Sequence, residues 1–210
     1  MWEKLIPTPL QQKYELYNFN NAVEILSQAH PVEYGEILDM LHNFTISVSD
    51  ILSPGGNEST IPKIISSTLR PLEWQEVRIT GDLLIKLHLR SPYKGVEEFT
   101  IPNYIDGHNI DYLKNFVAFD MEWNSKDQTF DRDLYAFRTF YECGVISCGV
   151  IMTRSEKLNE VFDDLGVKPK YGASTTWMGK LLPRVHARRH GGCPLFIIGI
   201  TPDAVRDWRK

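Results

Sequence analysis

Cysteine is scarce in this sequence, and the few cysteines lack the spacing of a zinc site or a disulfide framework. The chain has three of them, Cys143, Cys148 and Cys193, with no Cys-x-x-Cys pair. Structural zinc sites and small disulfide-rich domains need paired or closely spaced cysteines. We therefore expect three reduced thiols and a protein of the bacterial-type cytoplasm.

Long apolar stretches are also missing. The first residues, MWEKLIPTPLQQKYELY, contain no apolar run of roughly 7 to 15 residues behind a basic start, which is the pattern of a secretory leader. No segment is apolar over the roughly 20 residues that a membrane-spanning helix needs. The sequence therefore predicts neither secretion nor a membrane partner.

Net positive charge is a third feature that the chain lacks. With 23 Lys and Arg against 27 Asp and Glu, its formal net charge is −4, whereas nucleic-acid binding depends on cations that contact phosphates. The charge is unevenly distributed, however, because residues 180–210 carry seven Lys or Arg and two acids, a local charge of +5. This basic end is a candidate surface for a polyanionic partner.

The chain does have the length and the alternating pattern of an α/β protein. Its 210 residues, 42% of them hydrophobic, are enough to bury one core, and we assign residues 1–210 to a single domain. The pattern predicts strands near 13–18, 76–80 and 83–89, and helices near 20–30, 32–44, 60–72, 155–166 and 175–189, the last kinked at Pro183. Turn-forming residues mark loops at 53–59 and 91–95. Such alternation indicates a central mixed sheet covered by helices on both faces.

A further amphipathic helix is predicted over residues 130–143. Phe130, Leu134, Phe137 and Tyr141 recur at helical spacing along it. An apolar face of this kind usually packs inside its own domain. We therefore interpret the stripe as core and expect the polar side of the helix to face outwards.

The most informative segment is NIDYLKNFVAFDMEWN, residues 109–124, which predicts a β-hairpin. Apolar residues alternate along FVAFDMEW, which is typical of a strand with one face in the core. Asp120 and Glu122 share the opposite face, because side chains two apart on a strand point the same way. Both carboxylates are therefore expected to reach one small volume.

Asp111, on the first strand of this hairpin, is expected to join them. If Lys114 and Asn115 form a two-residue turn, Asp111 lies across from Ala118. It is then diagonal to Asp120, at roughly 5 to 8 Å. The small side chain of Ala118 leaves room between the acids.

Three carboxylates in such a space repel one another, so protons or a cation must offset their charge. Mg²⁺ prefers oxygen ligands and commonly binds one or two carboxylates together with phosphate oxygens. The cluster therefore favours a metal-dependent site for phosphodiester hydrolysis. The alternative, from the residues alone, is a sheet edge with solvated acids.

Several separate blocks carry a resemblance to known nucleases. YELYNFNNAVEIL at 14–26 is similar to an opening strand and first helix, and the hairpin has the matching nine-residue spacing between Asp111 and Asp120. VISCGVIMTR at 145–154 and GGCPLFIIGITP at 191–202 resemble the strand after the catalytic helix and a late apolar strand. Together the blocks resemble the PD-(D/E)xK nucleases, and more closely the type II restriction endonucleases of the BglII and BstYI family.

The resemblance implies a restriction-endonuclease-like core, an α/β fold whose central mixed sheet is flanked by helices. It implies Mg²⁺, one or two ions per site, with Asp111 and Asp120 as metal ligands and Glu122 as the third catalytic residue. It implies sequence-specific hydrolysis of both strands of double-stranded DNA, with 5′-phosphate ends, and a cognate DNA methyltransferase as a genetic partner. It also implies a homodimer, in which the polar side of the helix at 130–143 would meet its partner. A dimer suits a palindromic site because each subunit cuts one strand.

Glu122 departs from the general nuclease pattern, in which lysine occupies this position, and from BglII, which has glutamine. The related enzyme BamHI has glutamate there. A carboxylate accepts a proton or helps to hold a second metal ion, whereas a lysine would orient the attacking water as a cation. The general base and the number of metal ions are therefore left open.

Polar residues that flank the catalytic strand are candidates for contacting DNA. Asn124, Ser125 and Lys126 follow the strand, and by the resemblance this segment reaches base edges. The alternative is a loop that leads into the next helix. A second candidate segment, which precedes the basic helix and suits either phosphate binding or N-capping, consists of Ser174, Thr175 and Thr176.

The basic segment RVHARRHGG, with the lysine before it, is the third candidate DNA surface. We expect it to read guanine or to bind phosphate, and its candidate residues are Lys180, Arg184, Arg188, Arg189 and His190. A solvated basic face is the alternative. A metal site at the pair His186 and His190 lacks a third ligand nearby.

Two other functions remain open at this point. One is a DNA repair or junction-cleaving nuclease with the same core, and the other is a catalytically silent DNA-binding relative. The intact acids at 111, 120 and 122 count against a silent relative, since carboxylates beside DNA only repel its phosphates. Discrete fragments from intact duplex would identify a restriction enzyme.

Overall fold

The computed structural model describes residues 2–53 and 59–209, and its centre is a six-stranded sheet. The strands are β1 Tyr14–Phe19, β2 Gln75–Leu89, β3 Gly95–Lys114, β4 Val117–Glu122, β5 Cys148–Arg154 and β6 Leu195–Ile200. Their order in the sheet is β1-β6-β5-β4-β3-β2. β4, β5 and β6 are parallel, and the other neighbouring pairs are antiparallel. The sheet is therefore mixed, as the sequence predicts.

Helices cover both faces of this sheet. They are α1 Thr8–Lys13, α2 Ala22–Ala29, α3 Pro31–Asn43, α4 Val48–Leu52, α5 Thr60–Leu69, α6 Thr129–Glu142, α7 Asn159–Asp164 and α8 Met178–His186. One apolar cluster joins alternate residues of β4, β5 and β6 to α2, α3 and α5, and a second joins the intervening residues to α6 and α8. None of the helices in the described ranges has the length and apolar character needed to cross a membrane.

The helix predicted over 130–143 is α6, and its apolar stripe is core. Phe130, Leu134 and Phe137 are fully buried against the sheet, while Tyr141, near the end of the helix, is 37% exposed. This helix connects β4 to the parallel strand β5, so it lies over the strand that carries two of the acids.

The largest difference from the predicted pattern is a long ribbon formed by β2 and β3. The strands predicted at 76–80 and 83–89 are one strand, and the partner strand β3 extends over 20 residues. Register shifts on both sides of Gly81 show that the apparent break at this residue is an irregularity within the strand. Glycine inside a strand often marks such a bulge.

Other differences are confined to the ends of elements. The helix predicted over 155–166 is a 3-10 turn, Glu156–Leu158, followed by α7. The helix predicted over 175–189 begins only at Met178 and continues through Pro183. Most of the loop predicted at 53–59 falls on residues 54–58, which lie outside the described residues.

Candidate active site

The acidic hairpin turns one residue later than the sequence predicts. Asn115 and Phe116 form the turn, with φ of 41° and 68°, in place of the predicted pair Lys114 and Asn115. Two-residue hairpin turns of this type need positive φ at both positions, and asparagine adopts that conformation readily. Tyr112 consequently pairs with Phe119.

This register places Asp111 beside Asp120, so the predicted position opposite Ala118 is wrong. The backbone N–H of Asp111 donates a hydrogen bond of 2.7 Å to Asp120 Oδ1. The pairing differs from the predicted one by two residues, and only an odd shift would move the side chains to the other face. The acids of both strands therefore remain on one face of the sheet.

Asp111, Asp120 and Glu122 line one cavity of about 290 Å³ between the sheet and α6. Asp120 is 4% exposed and Glu122 is 7% exposed, because the sheet and α6 enclose them. The cavity is also lined by ionisable residues that the sequence pattern did not single out, namely Glu76, His108, Arg132 and Asp133. The structure thus brings the three predicted acids together and adds two more.

Burial and mutual repulsion raise the pKa of all three predicted catalytic acids. Burial is the largest cause at Asp120, and the charge of Asp111 adds to it. Burial also dominates at Asp111, where the charge of Glu76 adds, and at Glu122, where the charge of Asp111 adds. Carboxylates that repel one another in this way have a raised affinity for protons or for a cation.

Two buried carboxylate oxygens in the cavity wall, Glu122 Oε2 and Asp133 Oδ2, have no hydrogen-bond partner among the described residues. A buried oxygen without a hydrogen bond costs roughly 1–3 kcal/mol of stability, so we expect an ion or a water molecule to bind to it. A set of oxygen donors suits Mg²⁺. Within residues 2–53 and 59–209, no three His, Cys, Asp or Glu side chains are already arranged to hold a metal ion.

Asp133 is a member of the cluster that the apolar pattern concealed. It lies on α6 between Phe130 and Leu134, within the apolar stripe, and its side chain is 5% exposed. Arg132 Nη2 donates to its Oδ1 over 3.2 Å. Acids are almost never fully buried without a partner, so an acid within the apolar face of a helix was the available signal.

The pKa of Asp133 predicts how pH affects the stability of the metal-free protein. Burial, with the charges of Glu122 and Asp120, raises this pKa to about 9. The folded chain therefore binds a proton that the unfolded chain releases near pH ~4, and the resulting stability is lost as pH rises towards the folded value. We expect the melting temperature without metal to fall by on the order of 5 °C between about pH 6 and about pH 9.

Asp133→Asn should reduce this fall, because the amide carries no titrating proton. Asp163→Asn is the matched control, since Asp163 pairs with Lys168 and its side chain is 52% exposed. Thermal melts at several pH values in EDTA measure the effect. Equal pH slopes in all three proteins would show that Asp133 is charged in the folded state.

The two predicted polar segments lie against each other. The backbones of Lys126 and Thr175 form an isolated antiparallel β-bridge, and the N–H of Thr176 donates to the carbonyl of Ser125 over 2.8 Å. α8 has its N-cap at Trp177, without a side-chain cap, so N-capping by residues 174–176 is not their role. The paired backbones give these segments a fixed position beside the acids.

Arg154, the last residue of β5, donates hydrogen bonds to the second of these segments. Its Nη2 donates to Thr175 Oγ1 over 2.5 Å and to the carbonyl of Thr176 over 2.7 Å. The guanidinium faces the rings of Trp123 and Tyr171, and burial lowers its pKa to about 10. Arg154 ends an apolar strand and gave no signal in the sequence.

The predicted DNA-contacting residues differ in exposure. Thr176 is fully buried, and His190 is 2% exposed with Nδ1 2.8 Å from the carbonyl of Cys193, so neither has a surface from which to reach DNA. Asn124 donates to the carbonyl of Lys170 over 3.3 Å and is half-buried. The exposed members of the set are Ser125, Lys126, Ser174, Arg188 and Arg189.

Part of the basic cluster is paired with acids that precede or begin α6. Arg184 Nε donates to Asp131 Oδ1 over 3.1 Å, and Arg189 donates to the same oxygen. Lys180 Nζ lies 3.9 Å from Asp127 Oδ2. Although burial raises the pKa of Asp131, hydrogen bonds from Arg189 and Arg184 lower it below its usual value. DNA phosphates would have to compete with these carboxylates for the cations.

A mixed sheet flanked by helices, with an acidic hairpin next to its parallel strands, is the restriction-endonuclease-like fold. A family model described as restriction endonuclease BglII/BglIII matches residues 14–200. Because this match covers most of the chain, the protein belongs to that family and is a DNA-binding nuclease. A comparison with curated proteins found no match.

Proposed function

We propose that the protein is a type II restriction endonuclease that hydrolyses both strands of duplex DNA at a specific sequence in the presence of Mg²⁺. The observation that carries this proposal is the single cavity lined by Asp111, Asp120 and Glu122. Ser125 hydrogen-bonds Glu122, and its segment at 124–126 pairs with the segment at 174–176. Cleavage chemistry and DNA reading are therefore assigned to adjacent parts of one surface.

The acids of the hairpin suit the binding of a divalent cation. Asp111 and Asp120 would hold it, because they are adjacent and both line the cavity. When bound, Mg²⁺ would polarise the scissile phosphate and lower the pKa of an attacking water. Glu122, whose Oε2 has no partner among the described residues, would orient that water and accept its proton. Hydrolysis would leave 5′-phosphate and 3′-hydroxyl ends.

Sequence reading is proposed for the exposed members of the paired segments. Ser125 and Lys126 leave the catalytic strand beside Glu122, and the Ser125 hydroxyl hydrogen-bonds that carboxylate, which lowers its pKa. A side chain that touches both the catalytic acid and a base edge would link recognition to cleavage. Phosphate contacts are proposed for Arg188, Arg189 and Lys180.

The β2–β3 ribbon supports the proposal of a homodimer. Its outer half carries a largely apolar face that belongs to neither buried cluster. Glu97 lies on this face across from Leu87, and its apolar members are Leu83, Ile85, Leu87, Leu89, Phe99 and Ile101. Leu87 and Phe99 are 45% and 48% exposed. A two-stranded ribbon is marginally stable alone, and an apolar face of this kind marks an interaction site. The face lacks the cations that DNA would require, so we assign it to a second copy of the chain.

Leu87→Glu is expected to weaken dimerisation by at least about 100-fold, because the interface would bury an unpaired charge. Leu84→Glu is the matched control, since Leu84 is 53% exposed on the opposite face of the same ribbon. Sedimentation across a concentration series measures both variants. A monomeric wild type, or equal dimer affinity in the two variants, would contradict this assignment.

A repair or junction-cleaving nuclease is the alternative function, and the choice of substrate separates the two. A restriction enzyme cuts intact supercoiled plasmid into discrete fragments, whereas a repair enzyme needs lesions or branches. We expect discrete fragments in Mg²⁺ and no preference for branched DNA. Such activity inside a cell would require a cognate DNA methyltransferase, and plasmid from a host expressing that partner should resist cleavage.

A further inference from the structure

The cavity holds several acids and very little positive charge to receive a DNA phosphate. Glu76, Asp111, Asp120, Glu122 and Asp133 all line it. Each of these acids that is ionised repels a phosphate that approaches, and charge builds up further on the phosphoryl oxygens during hydrolysis. The strand position at which the general nuclease pattern supplies a lysine is occupied by the carboxylate Glu122.

Arg132 is the one Lys or Arg among the described residues that line this cavity. It lies near the start of α6, and its side chain is 70% exposed. Its charge lowers the pKa of Asp111, Asp120 and Glu122, against the larger effect of burial. The guanidinium is therefore close enough to act on the whole cluster while remaining open to solvent.

The hydrogen bonds of Arg132 leave one side of its guanidinium available. Nε and Nη2 both donate to Asp133 Oδ1, over 3.3 and 3.2 Å. Nη1 has no acceptor among the described residues. An arginine has five N–H donors in a rigid fork, so one side can be anchored by a carboxylate while another binds a phosphate oxygen.

Two other cations lie near the cavity without lining it: Arg78, whose guanidinium packs against Gly107, and Arg70, which is already engaged. Arg70 also lowers the pKa of Asp111, but its guanidinium lies 4.6 Å from the ring centre of Tyr112 and its Nη1 donates to the carbonyl of Trp74. It does not line the cavity. This leaves Arg132 as the cation best placed to reach a bound phosphate.

We propose that Arg132 is a further catalytic residue, which binds a non-bridging oxygen of the scissile phosphate and stabilises the charge that develops there. It supplies from α6 the positive charge that the general nuclease pattern places on the strand. This inference rests on the proposed hydrolysis. In that reaction the water oxygen bonds to phosphorus, the bond to O3′ breaks, Glu122 takes a proton from the water, and O3′ receives one from solvent. Arg132 keeps its protons throughout.

The test compares Arg132→Gln with Arg138→Gln, a matched change on the same helix. Arg138 pairs with Glu142, and their side chains are 47% and 51% exposed. We expect the single-turnover cleavage rate at saturating DNA in Mg²⁺ to fall by about 10²- to 10³-fold in Arg132→Gln and to stay near the wild-type rate in Arg138→Gln. Arg132→Lys should be intermediate, because it keeps the charge but loses the fork.

A purely structural role for Arg132 would affect folding or binding instead of the rate. DNA affinity is therefore measured in an Asp120→Asn background, where we expect Arg132→Gln to weaken binding less than about tenfold and to remain folded at the assay temperature. The inference is overturned if wild type cuts DNA and Arg132→Gln cuts within about threefold of Arg138→Gln. It is also overturned if the lost rate is matched by lost affinity. A wild type that cuts no duplex would instead remove the proposed function on which it depends.

Discussion

Asp120→Asn should reduce Mg²⁺-dependent DNA cleavage by about 10³-fold or more while leaving the protein folded. Asp120 lies at the centre of the acid cluster, between Asp111 on the neighbouring strand and Glu122. If Asp120 holds the cation as proposed, its loss removes several kcal/mol of transition-state stabilisation, and each ~1.4 kcal/mol is a factor of ten in rate. Cleavage of plasmid under single-turnover conditions measures the loss.

The same substitution should not lower stability in the absence of metal. Burial and the charge of Asp111 raise the pKa of Asp120, so the native state holds this carboxylate at a cost in free energy. A neutral amide of similar shape removes that repulsion. We expect a melting temperature in EDTA that is equal to or above the wild-type value. Asp163→Asn, on the exposed surface of α7, is the control and should change neither property.

Glu122→Lys, which restores the commoner nuclease residue, should reduce cleavage by about 10²- to 10⁴-fold. In this chain, Glu122 supplies the buried oxygen that we assign to orient water and accept its proton, and Arg132 already provides a cation. A lysine would remove the proton acceptor and add positive charge that competes with a metal ion. Glu122→Gln should be similarly impaired, because the amide cannot accept the proton.

Glu160→Lys makes the same change of charge on the surface. Glu160 lies 3.7 Å from Arg209, and its side chain is 52% exposed. This control accounts for any general gain in DNA affinity from added positive charge. An active Glu122→Lys enzyme would mean that the strand position works equally well with a cation, and our assignment of Glu122 as proton acceptor would then be wrong.

The sequence predicted the local part of the site and missed the part that depends on packing. Asp120 and Glu122 share a face because of strand geometry alone, so their alternation with apolar residues was sufficient. The sequence pattern places Asp111 on the correct face but opposite the wrong partner, because the turn depends on which residue adopts positive φ. Because the predicted register is wrong by two residues, an even number, Asp111 still lies on the same face of the sheet as Asp120 and Glu122.

Arg132, Asp133 and Glu76 reach the cavity only because α6 and β2 pack against the acidic hairpin. Their positions depend on contacts between segments far apart in the chain. The apolar stripe of α6 indicates that Asp133 is buried, but no local pattern indicates that it faces the acids of the hairpin. The basic cluster shows the same limit of local patterns. Arg184 was predicted to contact DNA from its charge and its neighbours, whereas the fold places it against Asp131.

Digestion of one fully sequenced plasmid tests the central claim most directly. Wild type and Asp120→Asn are incubated with it in Mg²⁺ and in EDTA, and the ends of all products are sequenced. We expect the wild type in Mg²⁺ to give discrete fragments whose 5′-phosphate ends share one sequence, and the other samples to leave the plasmid intact. Cleavage that is random in sequence, independent of Mg²⁺, or unaffected by Asp120→Asn would contradict the account.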